Sequence, residues 1–232
     1  MADYITTYQS IQNEIKSGRE ENPPTLIAVS KTKPYEVIRE AYLQGIREFG
    51  ENYIPEAIDK FTRLREEFPE SESSVHVHHI GPVQSGTLRK LFGVFSYTHG
   101  VGSFSSLAEL LKRAEKEKKT IRYFLQTNLT AEQTKHGFSL ETLREKKEML
   151  PSYQNEFCFW EGFMGMGPSS GDLLETKEVF TKLSQFRDEY FPNQKLSMGM
   201  SGDYTLAVTL GSDYVRIGSK IFGERDYGTH SV

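Results

Sequence analysis

The sequence predicts an α/β fold, a single (β/α)8 barrel of the TIM type with one extra helix at its N-terminus. The chain has 232 residues, a length at which an α/β barrel commonly forms one domain. Eight short apolar runs alternate with segments of helical periodicity, which suits a closed barrel of typically ~250 residues. The first run, TLIAVS at 25–30, lacks polar alternation, as is typical of a parallel strand covered on both faces.

A doubly wound open sheet is the alternative fold. It is expected to carry a glycine fingerprint after an early strand. The GFMGMG run at 162–167 has a different glycine spacing and lies late in the chain. The closed barrel is therefore the prediction, and residues 1–232 are expected to form one domain, because no linker, low-complexity tract or repeat divides them.

The elements can be assigned in order. Tyr4, Tyr8, Ile11 and Ile15 recur at helical spacing, so residues 1–20 are expected to form a helix that ends near Gly18 and packs on the barrel. Pro34 is well placed to start the helix after the first strand, whose buried face would carry Val37, Ile38, Ala41 and Tyr42. The other seven strands are predicted in the runs 48–52, 77–81, 94–101, 121–128, 157–167, 195–200 and 214–219.

Composition narrows the function classes. The formal net charge is −4, and lysine and arginine are interspersed with aspartate and glutamate and do not form blocks, so no nucleic-acid partner is expected. The chain has neither a signal-peptide pattern nor a run of ~18 apolar residues, so we expect a soluble cytoplasmic protein without a membrane partner. The single cysteine, Cys158, is expected in the core. No apolar stripe lies outside the barrel pattern, which favours a monomer.

In such a barrel, functional groups project from the carboxyl ends of the strands. These ends carry polar side chains: Lys31, Asn52, His78 with His79, His99, Asn128, Ser201 and Ser219, together with Met166. Lys31 shares strand parity with Ile27 and Val29, whereas Lys33 directly precedes Pro34 and is expected to be a loop lysine. A lysine desolvated at the mouth of an apolar barrel favours the neutral amine that forms Schiff bases. Alternatively, both lysines are ordinary solvated residues.

Small residues at the ends of the last two strands indicate an anion site. Ser201 and Gly202 follow one strand, and Gly218 and Ser219 follow the next. Barrels of this type often bind phosphate there, through backbone N–H groups and hydroxyls. Taken singly, these residues would be helix caps and turn glycines.

We call the predicted anion site of Ser201, Gly202, Gly218 and Ser219 the cup. A lysine that forms a Schiff base and a cup that binds phosphate, both at one barrel mouth, are the two groups that hold pyridoxal 5′-phosphate (PLP). Arg216 lies close to the predicted cup. An arginine that faces the ring nitrogen of the cofactor cannot accept a proton from that nitrogen. The alternative for Arg216 is a structural ion pair.

Several motifs carry a family resemblance. AVSKTKP, FGENY, HHIG followed by VQS, TKHGF, GFMGMG, LSMGMSGDY and GSDYVRIGSKIFGERDY occur in this order between about residues 26 and 227. They resemble the YggS/PROSC family of pyridoxal phosphate homeostasis proteins. The resemblance implies a barrel similar to the N-terminal domain of bacterial alanine racemases, with Lys31 as the internal aldimine. It further implies that Ser201, Gly218 and Ser219 hold the phosphate, that Arg216 faces the ring nitrogen, and that Asn52, His78 and Met200 line the cofactor.

The chain departs from the family pattern at several positions. The family's Trp-His-Phe-Ile-Gly is VHHIG here, with Val77 and His79 in the aromatic positions. An amide and a lysine are replaced by Gly86 and Thr87, and a carboxylate by Gly102. These changes affect expected surface contacts and partners more than the cofactor. A metal site formed by His76, His78 and His79 would need a fourth ligand, and no metal is predicted.

Three functions share these features. A racemase needs a second acid or base, which in alanine racemases comes from a C-terminal domain and a partner subunit. Because the chain ends soon after FGERDY, we expect no such domain and no robust catalysis. The prediction is therefore a PLP-binding protein that buffers or carries the cofactor, with apo forms of PLP-dependent enzymes as candidate recipients. A class I aldolase is the third candidate function. An aldolase would carry its lysine on a later strand, and it would not be coloured by a cofactor.

Overall fold

Eight parallel strands form a closed barrel in chain order, with each strand paired to its neighbours and the last strand to the first. The computed structural model of the protein describes residues 3–84, 86–129 and 136–223. The strands are β1 (Thr25–Val29), β2 (Glu48–Glu51), β3 (His76–His79), β4 (Tyr97–Val101), β5 (Ile121–Gln126), β6 (Cys158–Met164), β7 (Lys195–Ser197) and β8 (Tyr214–Ile217). The predicted (β/α)8 barrel is confirmed.

Helices surround the barrel. They are α1 (Tyr4–Gly18), α2 (Tyr35–Leu43), α3 (Ile54–Glu67), α4 (Ser71–Ser74), α5 (Leu88–Leu91), α6 (Phe104–Glu117), α7 (Leu140–Glu145), α8 (Leu173–Tyr190), α9 (Tyr204–Thr209) and α10 (Ser219–Phe222), with a 3₁₀ turn at Leu150–Ser152. Helix α2 begins directly after Pro34, and it buries Tyr35, Ile38, Ala41 and Tyr42, while Val37 is only partly buried. No helix in the described ranges has the length and apolar character needed to cross a membrane.

The apolar strands serve two cores at once. Ile27 belongs to a small cluster inside the barrel with Phe124, Met164 and Tyr214. Its neighbours in sequence, Leu26 and Ala28, pack with the helices in the large outer cluster. Successive side chains of a strand point to opposite faces, and both faces of β1 are apolar. This double burial explains why its sequence shows no polar alternation.

Helix α1 packs against α9 and α10, beside the strands that close the barrel. It buries Tyr8, Ile11 and Ile15, three of the four residues that predicted it. The Tyr8 hydroxyl donates to the Leu26 carbonyl at 2.8 Å, and the Tyr204 hydroxyl of α9 donates to the Glu14 carboxylate. The N-terminal helix is thus fixed to β1 by a hydrogen bond as well as by packing.

Candidate functional site

A cavity of about 340 Å³ opens at the carboxyl ends of the strands. Its walls come from the loops after β1, β2, β3, β7 and β8 and from the ends of β5 and β6. Seven of the eight predicted site residues line it: Lys31, Asn52, Met200, Ser201, Arg216, Gly218 and Ser219. The eighth, His78, does not.

Lys31 lies in a tight turn directly after β1. The turn closes where the Lys33 N–H donates to the Ser30 carbonyl at 3.1 Å. Its third residue, Thr32, has a φ of 66°, a left-handed conformation that most side chains avoid and that type II turns require at this position. The Thr32 N–H donates to the Glu56 carboxylate at 2.7 Å. Two hydrogen bonds therefore fix the backbone conformation of the turn that contains Lys31.

Lys33 lines the same cavity as Lys31. It is a loop lysine, as its place before Pro34 predicted, but its side chain does not lie away from the site. The alternation rule of strands does not apply to it, because the chain turns at Thr32. The site therefore contains two amines rather than one.

The ends of β7 and β8 bring two hydroxyls together. The Ser219 hydroxyl donates to the Ser201 hydroxyl at 3.2 Å, and both residues line the cavity. Gly218 lies against β1, where a Cβ atom would come within 3.1 Å of the Val29 carbonyl oxygen. Gly202 instead lines a neighbouring cavity of about 400 Å³. The predicted cup thus consists of Ser201, Gly218 and Ser219.

Arg216 reaches the cavity from β8 and is otherwise buried, with 5% of its surface exposed. Its guanidinium donates to the Ser197 carbonyl at 2.8 Å, to the Ser197 hydroxyl, and to the Gly165 carbonyl at 3.2 Å. Burial lowers the pKa of Arg216 to about 10, so the group remains a cation at neutral pH. Its hydrogen-bond partners are neutral oxygens, which disfavours the alternative of a structural ion pair.

His78 lies deeper in the barrel, below the cavity. Its side chain is fully buried and stacks on Tyr97 with ring centroids 4.3 Å apart. His78 Nε2 lies 2.7 Å from Glu48 Oε2, and its Nδ1 lies 3.0 Å from His99 Nε2. His99 Nδ1 in turn lies 2.9 Å from the Ser197 hydroxyl, which also contacts Arg216. His78 is thus connected to the cavity through other side chains and does not line it.

These contacts determine where the shared protons lie. Burial would raise the pKa of Glu48, but hydrogen bonds from two histidines outweigh it and hold the pKa at about 2. Glu48 is therefore an acceptor, and His78, kept neutral because burial lowers its pKa, donates from Nε2. His78 Nδ1 then accepts from His99 Nε2, and His99 Nδ1 accepts from the Ser197 hydroxyl. Every proton in this chain is donated in the direction of Glu48.

The other two histidines of β3 differ in their surroundings: His76 shares Glu48 with His78, whereas the His79 side chain does not contact either of them. His76 is about half exposed and contacts Glu48 at 2.8 Å. His79 faces the opposite side of the strand, where its Nδ1 lies 3.1 Å from the Thr98 hydroxyl. Within the described ranges, no group of three histidine, cysteine or acidic side chains is arranged to hold a metal ion.

The other departures from the family pattern lie away from the cavity. Val77 is buried in the outer core, and Gly86 is exposed. Thr87 is partly exposed, and Gly102 borders a separate small cavity of about 90 Å³. Cys158 is buried as predicted. Thr134 and Lys135 of the TKHGF motif lie outside the described residues.

Sequence reasoning missed several cavity residues, of which Gln126 is the most informative. Strand β5 ends at Gln126, two residues before the predicted end at Asn128. Gln126 has the parity of Phe124, which faces the barrel interior, so the alternation pattern contained the signal. Its amide donates to the His136 carbonyl at 3.0 Å. Ile80, Gly81, Pro82 and Met164 also line the cavity.

Comparisons with known proteins agree on one family. The model of the alanine racemase N-terminal domain matches residues 7–226. A protein of Vibrio alginolyticus named pyridoxal phosphate homeostasis protein is 35% identical over 229 residues, which cover 97% of this chain and 96% of the relative. A protein of the same name from Escherichia coli K12 is 32% identical over 216 residues, covering 91% and 90%.

Solved structures show the same architecture. PipY of Synechococcus elongatus PCC7942, determined with PLP bound, is 29% identical with a TM-score of 0.82, covering 95% of this chain and 100% of that chain. The alanine racemase of Clostridium difficile 630 is 15% identical with a TM-score of 0.69, covering 94% of this chain and 57% of that chain. At that identity, the likeness concerns the fold alone.

Proposed function

Because this chain belongs to the family of pyridoxal phosphate homeostasis proteins, within the alanine racemase N-terminal domain group, we propose that it binds PLP and acts in PLP homeostasis. One observation carries the proposal: a lysine, a pair of hydroxyls and a buried arginine line one cavity where β8 meets β1. These groups match an aldehyde, a phosphate and a ring nitrogen respectively.

The residues present fit the cofactor chemically. Ser201 and Ser219 offer hydroxyl donors to phosphate oxygens. Gly218 packs so closely on β1 that a side chain at this position would displace its neighbours, and its backbone is left uncovered by any side chain of its own. Arg216 can only donate hydrogen bonds, so it suits an unprotonated ring nitrogen. PLP supplies an aldehyde that condenses with primary amines. In the proposal, the Lys31 amine adds to the aldehyde carbon, a C=N bond forms and water leaves.

Lys31 and Lys33 provide a matched pair for the test, since both line the cavity. We expect wild-type protein and Lys33→Ala to develop a visible absorption band with PLP. Borohydride reduction should fix one equivalent of cofactor on Lys31 in both proteins, as read by peptide mass spectrometry. Lys31→Ala should show neither the band nor the label. A label on Lys33, or an unchanged band in Lys31→Ala, would overturn the assignment.

We further propose that the protein buffers or carries PLP and does not turn over amino acids. Among the described cavity residues, the polar side chains are amines, amides, hydroxyls and one guanidinium, with no carboxylate, imidazole or phenol. Two-base chemistry at an α-carbon needs an acid or base on each face of the cofactor. The loaded protein is expected to leave a panel of L-amino acids unracemised, as measured by chiral chromatography. Racemisation of any one of them would favour the racemase alternative instead.

The recipient and setting belong to the same proposal: a cytoplasmic monomer that passes PLP to apo enzymes. Relatives named pyridoxal phosphate homeostasis protein support the homeostasis part of this proposal. An apo PLP-dependent enzyme mixed with loaded protein should regain activity faster than with buffer containing the equivalent free PLP measured by ultrafiltration. Equal rates would contradict direct transfer, and sedimentation of a dimer at micromolar concentration would contradict the monomer.

A further inference from the structure

Lys60 is a buried lysine beside the turn that carries Lys31. It lies on α3 and is 3% exposed. Its ammonium lies 2.7 Å from Glu51 Oε1 and 2.7 Å from Glu56 Oε1. Burying an ammonium is costly unless it is paired and hydrogen-bonded. The placement of this charge therefore calls for an explanation beyond packing.

The same ammonium reaches both ends of the turn. It donates to the Ser30 carbonyl at 3.1 Å and to the Lys33 carbonyl at 3.2 Å. Lys31 lies between these two carbonyls in the chain. A single side chain thus holds the backbone immediately before Lys31 and two residues after it.

The two carboxylates extend this hold. Glu51 accepts a hydrogen bond from the Ser30 hydroxyl at 2.7 Å, and Glu56 accepts one from the Thr32 N–H at 2.7 Å. The residue that Glu56 holds is the one with the left-handed backbone. Unfavourable backbone conformations persist where the surroundings over-determine them, and such sites are often functional. The second oxygen of Glu51 is buried with no hydrogen-bond partner among the described residues.

We propose that Lys60 is a positioning residue for Lys31: with Glu51 and Glu56, it fixes the turn so that the Lys31 amine is presented to the cavity. The inference rests on the proposed function, because it concerns how Lys31 meets the PLP aldehyde. It predicts that loss of Lys60 slows formation of the covalent bond and leaves the cup formed by Ser201, Gly218 and Ser219 intact.

Two ligands separate these effects. PLP needs both the cup and Lys31, whereas pyridoxine 5′-phosphate carries an alcohol in place of the aldehyde and cannot condense with an amine. Stopped-flow absorbance gives the rate of bond formation with PLP, and calorimetry gives the affinity for pyridoxine 5′-phosphate. Positioning within a site often decides rates at the level of ten- to a hundredfold.

The test variant is Lys60→Met combined with Glu51→Gln, which removes the buried pair without leaving a buried carboxylate unpaired, since Glu56, the other partner of Lys60, is partly exposed. Glu56→Gln is the milder second variant, since Glu56 is partly exposed and Lys60 keeps its ion pair with Glu51. Arg65→Met is the matched control, because Arg65 is also a cation of α3 that donates to loop carbonyls, those of Gly93 and Val94.

We expect bond formation to slow by about tenfold or more in the double variant and by a smaller factor in Glu56→Gln. Affinity for pyridoxine 5′-phosphate should stay within about twofold of wild type in both, and Arg65→Met should match wild type with both ligands. An unchanged rate, or equal losses for both ligands, would overturn the inference. If wild-type protein forms no bond at all, the proposed function itself fails.

Discussion

The His79 side chain occupies a site that suits an aromatic ring. It is 2% exposed and packs edge-on against Phe95, with ring centroids 5.4 Å apart. Burial lowers its pKa from 6.5 to about 4. Above pH 6.5 the imidazole is neutral in both the folded and the unfolded state. As the pH falls from 6.5 towards 4, the unfolded chain binds a proton that the folded protein does not, so the free energy of unfolding falls.

His79→Phe should therefore remove part of the acid sensitivity. We expect the variant and wild type to have similar free energies of unfolding at pH 8. At pH 5 the variant should be more stable than wild type by roughly 2 kcal/mol, because the pKa of His79 differs between the folded and the unfolded state. Urea denaturation at both pH values measures it. Burial also lowers the pKa values of His78 and His99, so some sensitivity should remain.

His76 on the same strand is the control. Its hydrogen bond to Glu48 raises its pKa, so its contribution is present below pH 6.5 and is lost as the pH rises through the raised value. His76→Gln should consequently reduce stability at pH 5 more than at pH 8, the opposite of His79→Phe. The same sign for both variants would contradict the assigned environments.

At single positions, strand alternation worked only close to the strand. Parity with Ile27 and Val29 placed Lys31 at the cavity, two residues beyond the end of β1, but it could not place Lys33, because the turn at Thr32 ends the alternation. Lys60 was missed although it lies on the buried face of α3, between Ala57 and Leu64. A lysine within an apolar helical face is the signal that could have revealed it.

At the scale of elements, the eight strands were predictable because a parallel barrel buries both faces of each strand. Their ends were less so. Strand β7 is only three residues long, and the chain leaves it before Gly199, which has a φ of 92°. Helices α5 and α10 are single turns of four residues. Such short segments are determined by the barrel to which they are attached rather than by periodicity of their own.

Gly162 shows how closely the strands are fitted. The pairing of β5 with β6 shifts there, because Tyr123 pairs with Trp160 and Phe124 with Gly162, so that Glu161 is skipped. A Cβ atom on Gly162 would lie 1.9 Å from the Lys195 carbonyl oxygen of β7. We expect Gly162→Ala to destabilise the protein by roughly 3 kcal/mol, because β6 and β7 must separate.

The midpoint of urea unfolding tests this expectation. Gly86→Ala serves as control, since a Cβ atom there has no neighbour within 4 Å and the position is exposed. Its midpoint should stay near that of wild type. A Gly162→Ala protein as stable as Gly86→Ala would show that β6 and β7 are held less rigidly than their spacing implies.

For the molecule as a whole, the site lies across the pairing of β1 with β8 that closes the barrel, which we call the join. Four residue pairs link β1 to β8, from Thr25 with Tyr214 to Ala28 with Ile217. Lys31 follows β1, whereas Gly218 and Ser219 follow β8. A ligand attached to both sides would tie the first strand of the barrel to its last. Only closure of the barrel brings these distant parts of the sequence together, so no local pattern predicts their spacing.

PLP should therefore protect the join between β1 and β8 preferentially. A ligand at a hundred times its dissociation constant stabilises the folded state by about 2.7 kcal/mol, and local opening of the join breaks the linkage. We expect amide hydrogen exchange to slow most in β1 and β8 and least between β4 and β5. One amide to follow is the Thr25 N–H, which donates to the Asp213 carbonyl. Pyridoxine 5′-phosphate, which engages the cup without Lys31, should protect β8 more than β1. Uniform slowing across all eight strands would mean that the ligand acts on global stability and does not tie the join.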